Sequence, residues 1–215
     1  MKRAMPRRLM RRVRGFNLLE VLIAMLILVV GLLGLAGMQA RAQIAELESY
    51  QRAQALVLLY DMVDRINNNK LTASCFAITT NTTTGTPYLG TTTGGGYAGT
   101  PSCGVSTTQN NAMAVGALTA WDSLLQGSSE TKGGAQAGAM VGARGCISYN
   151  TSTEYLDATS GASIAGTGEF TVAVSWQGIA DTFTPTSTCG ANLYGSETKR
   201  RTVWVTMRNG LLRAQ

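Results

Sequence analysis

From Val21 to Met38 the chain reads VLIAMLILVVGLLGLAGM, eighteen residues without a charge. With its flanks the run reaches the roughly 20 residues a helix needs to cross the hydrocarbon core of a bilayer. Seven of the first fourteen residues are basic (Lys2, Arg3, Arg7, Arg8, Arg11, Arg12, Arg14) and none is acidic. By the positive-inside rule such a tail stays in the cytoplasm. Glu20 stands where the apolar run begins, and a carboxylate at a membrane segment is costly enough to point to a role.

The junction Arg14-Gly15-Phe16-Asn17-Leu18-Leu19-Glu20 resembles the class III signal of type IV prepilins and of the related pseudopilins of type II secretion. In that family a membrane-embedded aspartyl peptidase cuts after the glycine that ends a short basic leader. The resemblance places the cut at Gly15–Phe16, methylation on the new Phe16 amine, and the assembly role on Glu20. It also implies leader residues 1–15, a transmembrane half-helix over 16–40, an amphipathic half over 41–69 and a periplasmic globular domain over 70–215.

The spacing has a physical reason that stands without the family. Among parallel apolar helices a buried carboxylate costs about 2.5–3.5 kcal/mol or more unless something neutralises it. The α-amine exposed at Phe16 of an adjacent subunit is such a group. The pair would set the axial step between subunits, specifying register more than adding stability. Two plainer readings compete. Ala40-Arg41-Ala42 supplies a signal-peptidase pattern, but the apolar run is longer than the usual h-region of about 7–15 residues. An uncleaved signal anchor explains everything except Gly15 and Glu20.

Charge follows the same division. The whole chain has 18 cations against 12 anions, which suggests a polyanion partner. Without residues 1–15 it keeps 11 of those cations against all 12 anions, about −1 by formal count, so no nucleic acid is expected as a partner. The absence of His removes His-based triads and general bases. Cys75, Cys103, Cys146 and Cys189 are too widely spaced for metal knuckles, and no metal or cofactor is expected. In an oxidising compartment an even number of dispersed cysteines indicates two disulfides. Of three connectivities, Cys75–Cys103 with Cys146–Cys189 is preferred because each closes a local loop.

The fold class expected is α+β, a long N-terminal helix packed on a C-terminal antiparallel sheet. The helix should run from about Phe16 to Asn68, roughly 80 Å at 1.5 Å per residue. Ala55, Leu59, Met62 and Ile66 recur at helical spacing, with Leu58 and Val63 widening the stripe, and Asn67-Asn68-Asn69 is the terminator. Gly31, Gly34 and Gly37 allow either close helix approach or local unwinding. Residues Thr79 to Gly104 are so rich in Thr and Gly that a surface loop is expected. Gly94, Gly96 and Gly99 match GxGxxG by spacing alone, with no strand before, helix after or acidic residue at the right distance. Ala117–Gln126 reads as a short helix. Ala143–Asn150, Glu169–Gln177 and Arg201–Arg208 read as strands, with Phe170, Val172, Val174 and Trp176 on one face.

GARGCISY at Gly142–Tyr149, FTVAVSWQG at Phe170–Gly178, Cys189 and the Arg200-Arg201 strand are similar to the PilV group of type IV minor pilins. That resemblance implies a non-catalytic subunit held in the inner membrane, its C-terminal domain periplasmic, and then built into an extracellular pilus. Its implied partners are other minor pilins, the major pilin, the prepilin peptidase, the inner-membrane assembly platform and a tip adhesin. Two alternatives stand beside it: a pseudopilin of a type II secretion system, and, within the same filament, a DNA-uptake pilin in which Lys199, Arg200, Arg201 and Arg208 form one stripe. The one carboxylate pair that suggests an enzyme, Glu154 and Asp157, lies in a Ser/Thr-rich stretch and reads as a solvated turn.

Overall fold

A computed structural model of the chain describes residues 15–91, 95–97, 99, 101–128, 131–136 and 140–210. The basic tail and Gly94 lie outside the described residues. Two compact units divide the chain, Met1–Gln43 and Ile44–Gln215, so the amphipathic half of the first helix falls with the globular residues.

Helix α1 spans Leu18–Asn68, with Glu20 in its first turn and Arg65 in its last, each opposing the partial charge at its end. Gly31, Gly34 and Gly37 all lie within it. The helix stops in the asparagine run as expected. The Asn69 side-chain amide donates to the Arg65 carbonyl at 2.8 Å, satisfying an acceptor that the helix end would otherwise leave open. In the first unit every large apolar side chain from Phe16 to Met38 is exposed. In the second, Gln51, Ala55, Leu59, Met62 and Ile66 are buried, and Leu58 and Val63 pack against the same core.

The remaining elements are β1 (Leu89–Gly90), α2 (Thr108–Leu125), β2 (Thr131–Lys132), β3 (Ala135–Gln136), β4 (Val141–Asn150), β5 (Glu169–Gln177) and β6 (Arg200–Arg208). A four-stranded antiparallel sheet has the order β1-β4-β5-β6. The fold is thus α+β, a long helix packed on an antiparallel sheet. Phe170, Val172, Val174 and Trp176 all face the core, as their alternation requires. Strand β6 places Val203 in the core and leaves Trp204 exposed.

Three expectations need correction. Helix α2 starts nine residues before the expected Ala117. Its first turns are polar and carry no apolar stripe, but the Thr107 hydroxyl caps them by accepting from the Asn110 amide at 3.3 Å. The Thr/Gly segment is not only surface loop: Tyr88 and Leu89 are buried, and β1 pairs Leu89 with Gly145 and Gly90 with Arg144. Average composition conceals these two large side chains, and the edge of β4 offers them a backbone partner. A two-residue strand therefore does precede Gly96 and Gly99, although the next helix begins only at Thr108. The β2–β3 hairpin, whose Gly133 and Gly134 have φ of +62° and +82°, uses the positive-φ pair typical of two-residue hairpin turns.

Gly145 explains how α2 docks on the sheet. A Cβ there would lie 2.2 Å from the Trp121 ring, so the strand leaves out a side chain where the indole enters. The Trp121 Nε1–H donates to the Leu58 carbonyl at 2.9 Å, joining α2 to α1. Both inferences can be checked by denaturant unfolding of the full chain in detergent. Leu59→Ala is expected to cost about 2–5 kcal/mol and Gly145→Ala about 1–3 kcal/mol. Val57→Ala, at an exposed position of the same helix, should stay within about 0.5 kcal/mol. Equal effects of the two helix substitutions would refute the assignment of the core stripe.

Candidate processing and assembly site

Gly15, Phe16 and Asn17 precede α1 without regular structure. The Phe16 side chain is 85% exposed, and an added Cβ on Gly15 would meet nothing within 4 Å. The helix opens when the Asn17 carbonyl accepts from the amides of Glu20 at 2.9 Å and Val21 at 3.3 Å. Glu20 is exposed in that first turn, four residues and so about one turn from Phe16. Among the described residues no cation pairs with it. Beyond it, an 18-residue window has a mean hydropathy of 2.9 and none of it is buried. This helix is long and apolar enough to cross a membrane, near the N-terminus.

Both expected disulfides form in the globular unit, Cys75–Cys103 and Cys146–Cys189. The first closes the Thr/Gly segment, and the second fastens the chain before β6 to β4. Arg200 strengthens that second attachment. Its guanidinium donates to the carbonyls of Ser187 at 2.5 Å, Cys189 at 3.1 Å and Pro185 at 3.3 Å, and pairs with Glu197 at 2.6 Å. Burial alone would raise the Glu197 carboxyl; hydrogen bonds from Arg200 and from the Asn192 amide outweigh it and hold it below its ordinary value.

The cations proposed for a DNA stripe do not form one. Arg200 is buried in these contacts, while Arg201 pairs with Glu48 of α1 at 3.0 Å. Arg208 lies over the Tyr155 ring at 5.7 Å. Glu154 and Asp157 also serve local structure. Glu154 accepts from the Tyr149 hydroxyl and from the Gly166 amide, and Asp157 accepts from the amides of Thr159 and Ser160 at 3.0 and 2.9 Å. Burial, followed by the bond to Glu154, pushes the Tyr149 hydroxyl above its ordinary value.

Sequence reasoning missed Arg144, which is buried between the rings of Tyr194 at 4.7 Å and Tyr88 at 5.4 Å. Burial would lower its guanidinium, and the two tyrosines more than offset this. Residues so far apart in the chain leave no local pattern that would bring them together.

Glu48 is a polar link between α1 and the chain around β6. Burial would raise its carboxyl. Hydrogen bonds from the Ala180 amide at 3.0 Å, Arg201 at 3.0 Å and the Ile179 amide at 3.2 Å hold it below its ordinary value instead. Comparisons with protein-family models, with curated proteins and with solved structures find no match.

A carboxyl lowered by folding stabilises above its unfolded value of about 4.3 and loses that contribution as pH falls through the folded value. Glu48→Gln should therefore unfold at lower denaturant than the parent at pH 7. The gap should narrow as pH falls below the unfolded value of about 4.3 and on through the lowered folded value. A gap of constant size over that range would rule out the charge as its origin.

Proposed function

We propose that this chain is a non-catalytic minor pilin of a type IV pilus, processed between Gly15 and Phe16. The observation that carries the reading is Glu20, an acidic side chain without a cationic partner among the described residues, at the start of an apolar helix and one turn from Phe16. Supporting it are the basic leader sequence, the α+β layout and two cystines suited to an oxidising compartment.

Before assembly the apolar helix holds the subunit in the inner membrane, its basic end cytoplasmic and its globular unit periplasmic. Cleavage removes seven cations and frees the Phe16 amine, which is then methylated. Methylation leaves the amine protonated and able to pair with a carboxylate. Glu20 of an incoming subunit and the Phe16 amine of its neighbour neutralise each other in an apolar surround, where a misplaced register leaves both charges unpaired. The subunit takes part in priming the pilus and sits at its tip with other minor pilins and an adhesin. Type II secretion pseudopilins have the same junction, so phenotype separates the two: deletion should abolish pili and twitching, and loss of exoprotein export alone would favour the pseudopilin.

Mass spectrometry of the membrane-extracted protein should find a chain beginning at methylated Phe16. One beginning at Met1 or Gln43 would overturn the proposal. Glu20→Ala should leave that mature N-terminus intact while reducing incorporation into sheared pili at least tenfold, a loss of about 1.4 kcal/mol or more in assembly.

A further inference from the structure

The face of the sheet turned away from α1 holds a trough of about 720 Å³, within the range of small-molecule sites. Antiparallel register builds its floor from three successive rungs across β4, β5 and β6. These are Cys146–Ala173–Trp204, Ser148–Thr171 and Asn150–Glu169, the last two rungs continuing on β6 into Thr206 and Arg208 outside the lining. Same-face rungs lie about 7 Å apart along a strand, so the floor passes from an indole, over hydroxyls, to an amide and a carboxylate. The Ser148 and Thr171 hydroxyls are half-buried and have no hydrogen-bond partner among the described residues.

The walls are held in place independently of any ligand. Cys189 is tied to β4 by its disulfide, and Arg200 grips the carbonyls beside it. The Thr188 hydroxyl donates to the Thr82 carbonyl at 2.6 Å, joining the two walls. A preformed site avoids the cost of ordering loops on binding.

The lining selects the ligand class. Its one formal charge is Glu169, with the Arg208 guanidinium 4.0 Å away, so an anion meets no unpaired cation there. An apolar peptide would find one indole amid hydroxyls. A neutral sugar fits both features: its hydroxyls pair with Ser, Thr, Asn and Glu side chains, and its C–H face packs on the electron-rich face of an aromatic ring. Of the three tryptophans, Trp121 and Trp176 are buried, and Trp204 is 55% exposed. We propose that this trough binds a neutral oligosaccharide, with Trp204 as its stacking platform and Ser148, Thr171, Asn150 and Glu169 as its hydrogen-bonding partners.

The site is independent of the processing junction and can be tested on the full chain in a sugar-free zwitterionic detergent. Chitobiose, lactose, cellobiose and maltose would be titrated by tryptophan fluorescence and by calorimetry. At least one should bind saturably with a Kd on the order of 1 mM or tighter and shift the emission of the exposed indole. Thr171→Val should weaken binding several-fold, and Trp204→Ala should weaken the calorimetric signal at least tenfold. Binding that survives Trp204→Ala, or no binding by any of the four at about 10 mM, overturns the proposal. So does a Trp204 that becomes shielded from acrylamide in assembled filaments while no sugar binds, which would assign this face to a subunit contact.

Discussion

The globular unit depends on the burial of one stripe of α1. Ala55, Leu59, Met62 and Ile66 share a single core with Trp121 of α2 and with Phe170, Val172 and Val174 of β5. A sheet with one apolar face has to cover it, and an amphipathic helix supplies a matching surface. The upstream residues of the same helix have no such covering: from Phe16 to Met38 the apolar side chains are exposed. An exposed apolar surface of that extent marks contact with a membrane or with other helices. Glu20, set among these side chains, is the one charge in this stretch that any such contact has to accommodate.

Polar groups fix what the apolar core leaves loose. The core holds the inner face of the sheet, whereas the chain leading into β6 has little apolar surface to anchor it. There the structure uses the Cys146–Cys189 bond, the Arg200 contacts to three carbonyls and the Glu48–Arg201 pair. These attachments do different physical work. The disulfide limits the unfolded chain, Arg200 satisfies carbonyls that burial would leave without partners, and Glu48 adds a charge-assisted link sensitive to pH. The disulfide and the Arg200 contacts also shape the walls of the trough on the outer face of the sheet.

Much of this was legible in the residues. The helix stripe, its asparagine terminator and the alternation in β5 all follow from short-range spacing, which a chain carries whatever its fold, while the cystine pairs were a preference among three connectivities that the structure then made. The starts of α2 and β1 were not legible for one shared reason. Thr108–Met113 and Leu89–Gly90 have no periodicity of their own, and they become regular because Thr107 caps one and β4 pairs the other. The site divides in the same way. Gly15, Phe16 and Glu20 form a contiguous motif, whereas Arg144, Tyr88 and Tyr194 meet only across the folded unit.

By itself the sequence determined an apolar helix of membrane length, a carboxylate at its start and an α+β domain beyond it. Each of these depends on local period and on the cost of placing charge among apolar groups. Only the tertiary structure decided that Gly145 vacates space for Trp121, that Arg200 turns inward to bind carbonyls, and that Trp204 stands exposed above a row of hydroxyls. Strand register assigns side chains to faces and rungs, and register is settled by which strands pair. No pattern within a single strand contains that choice.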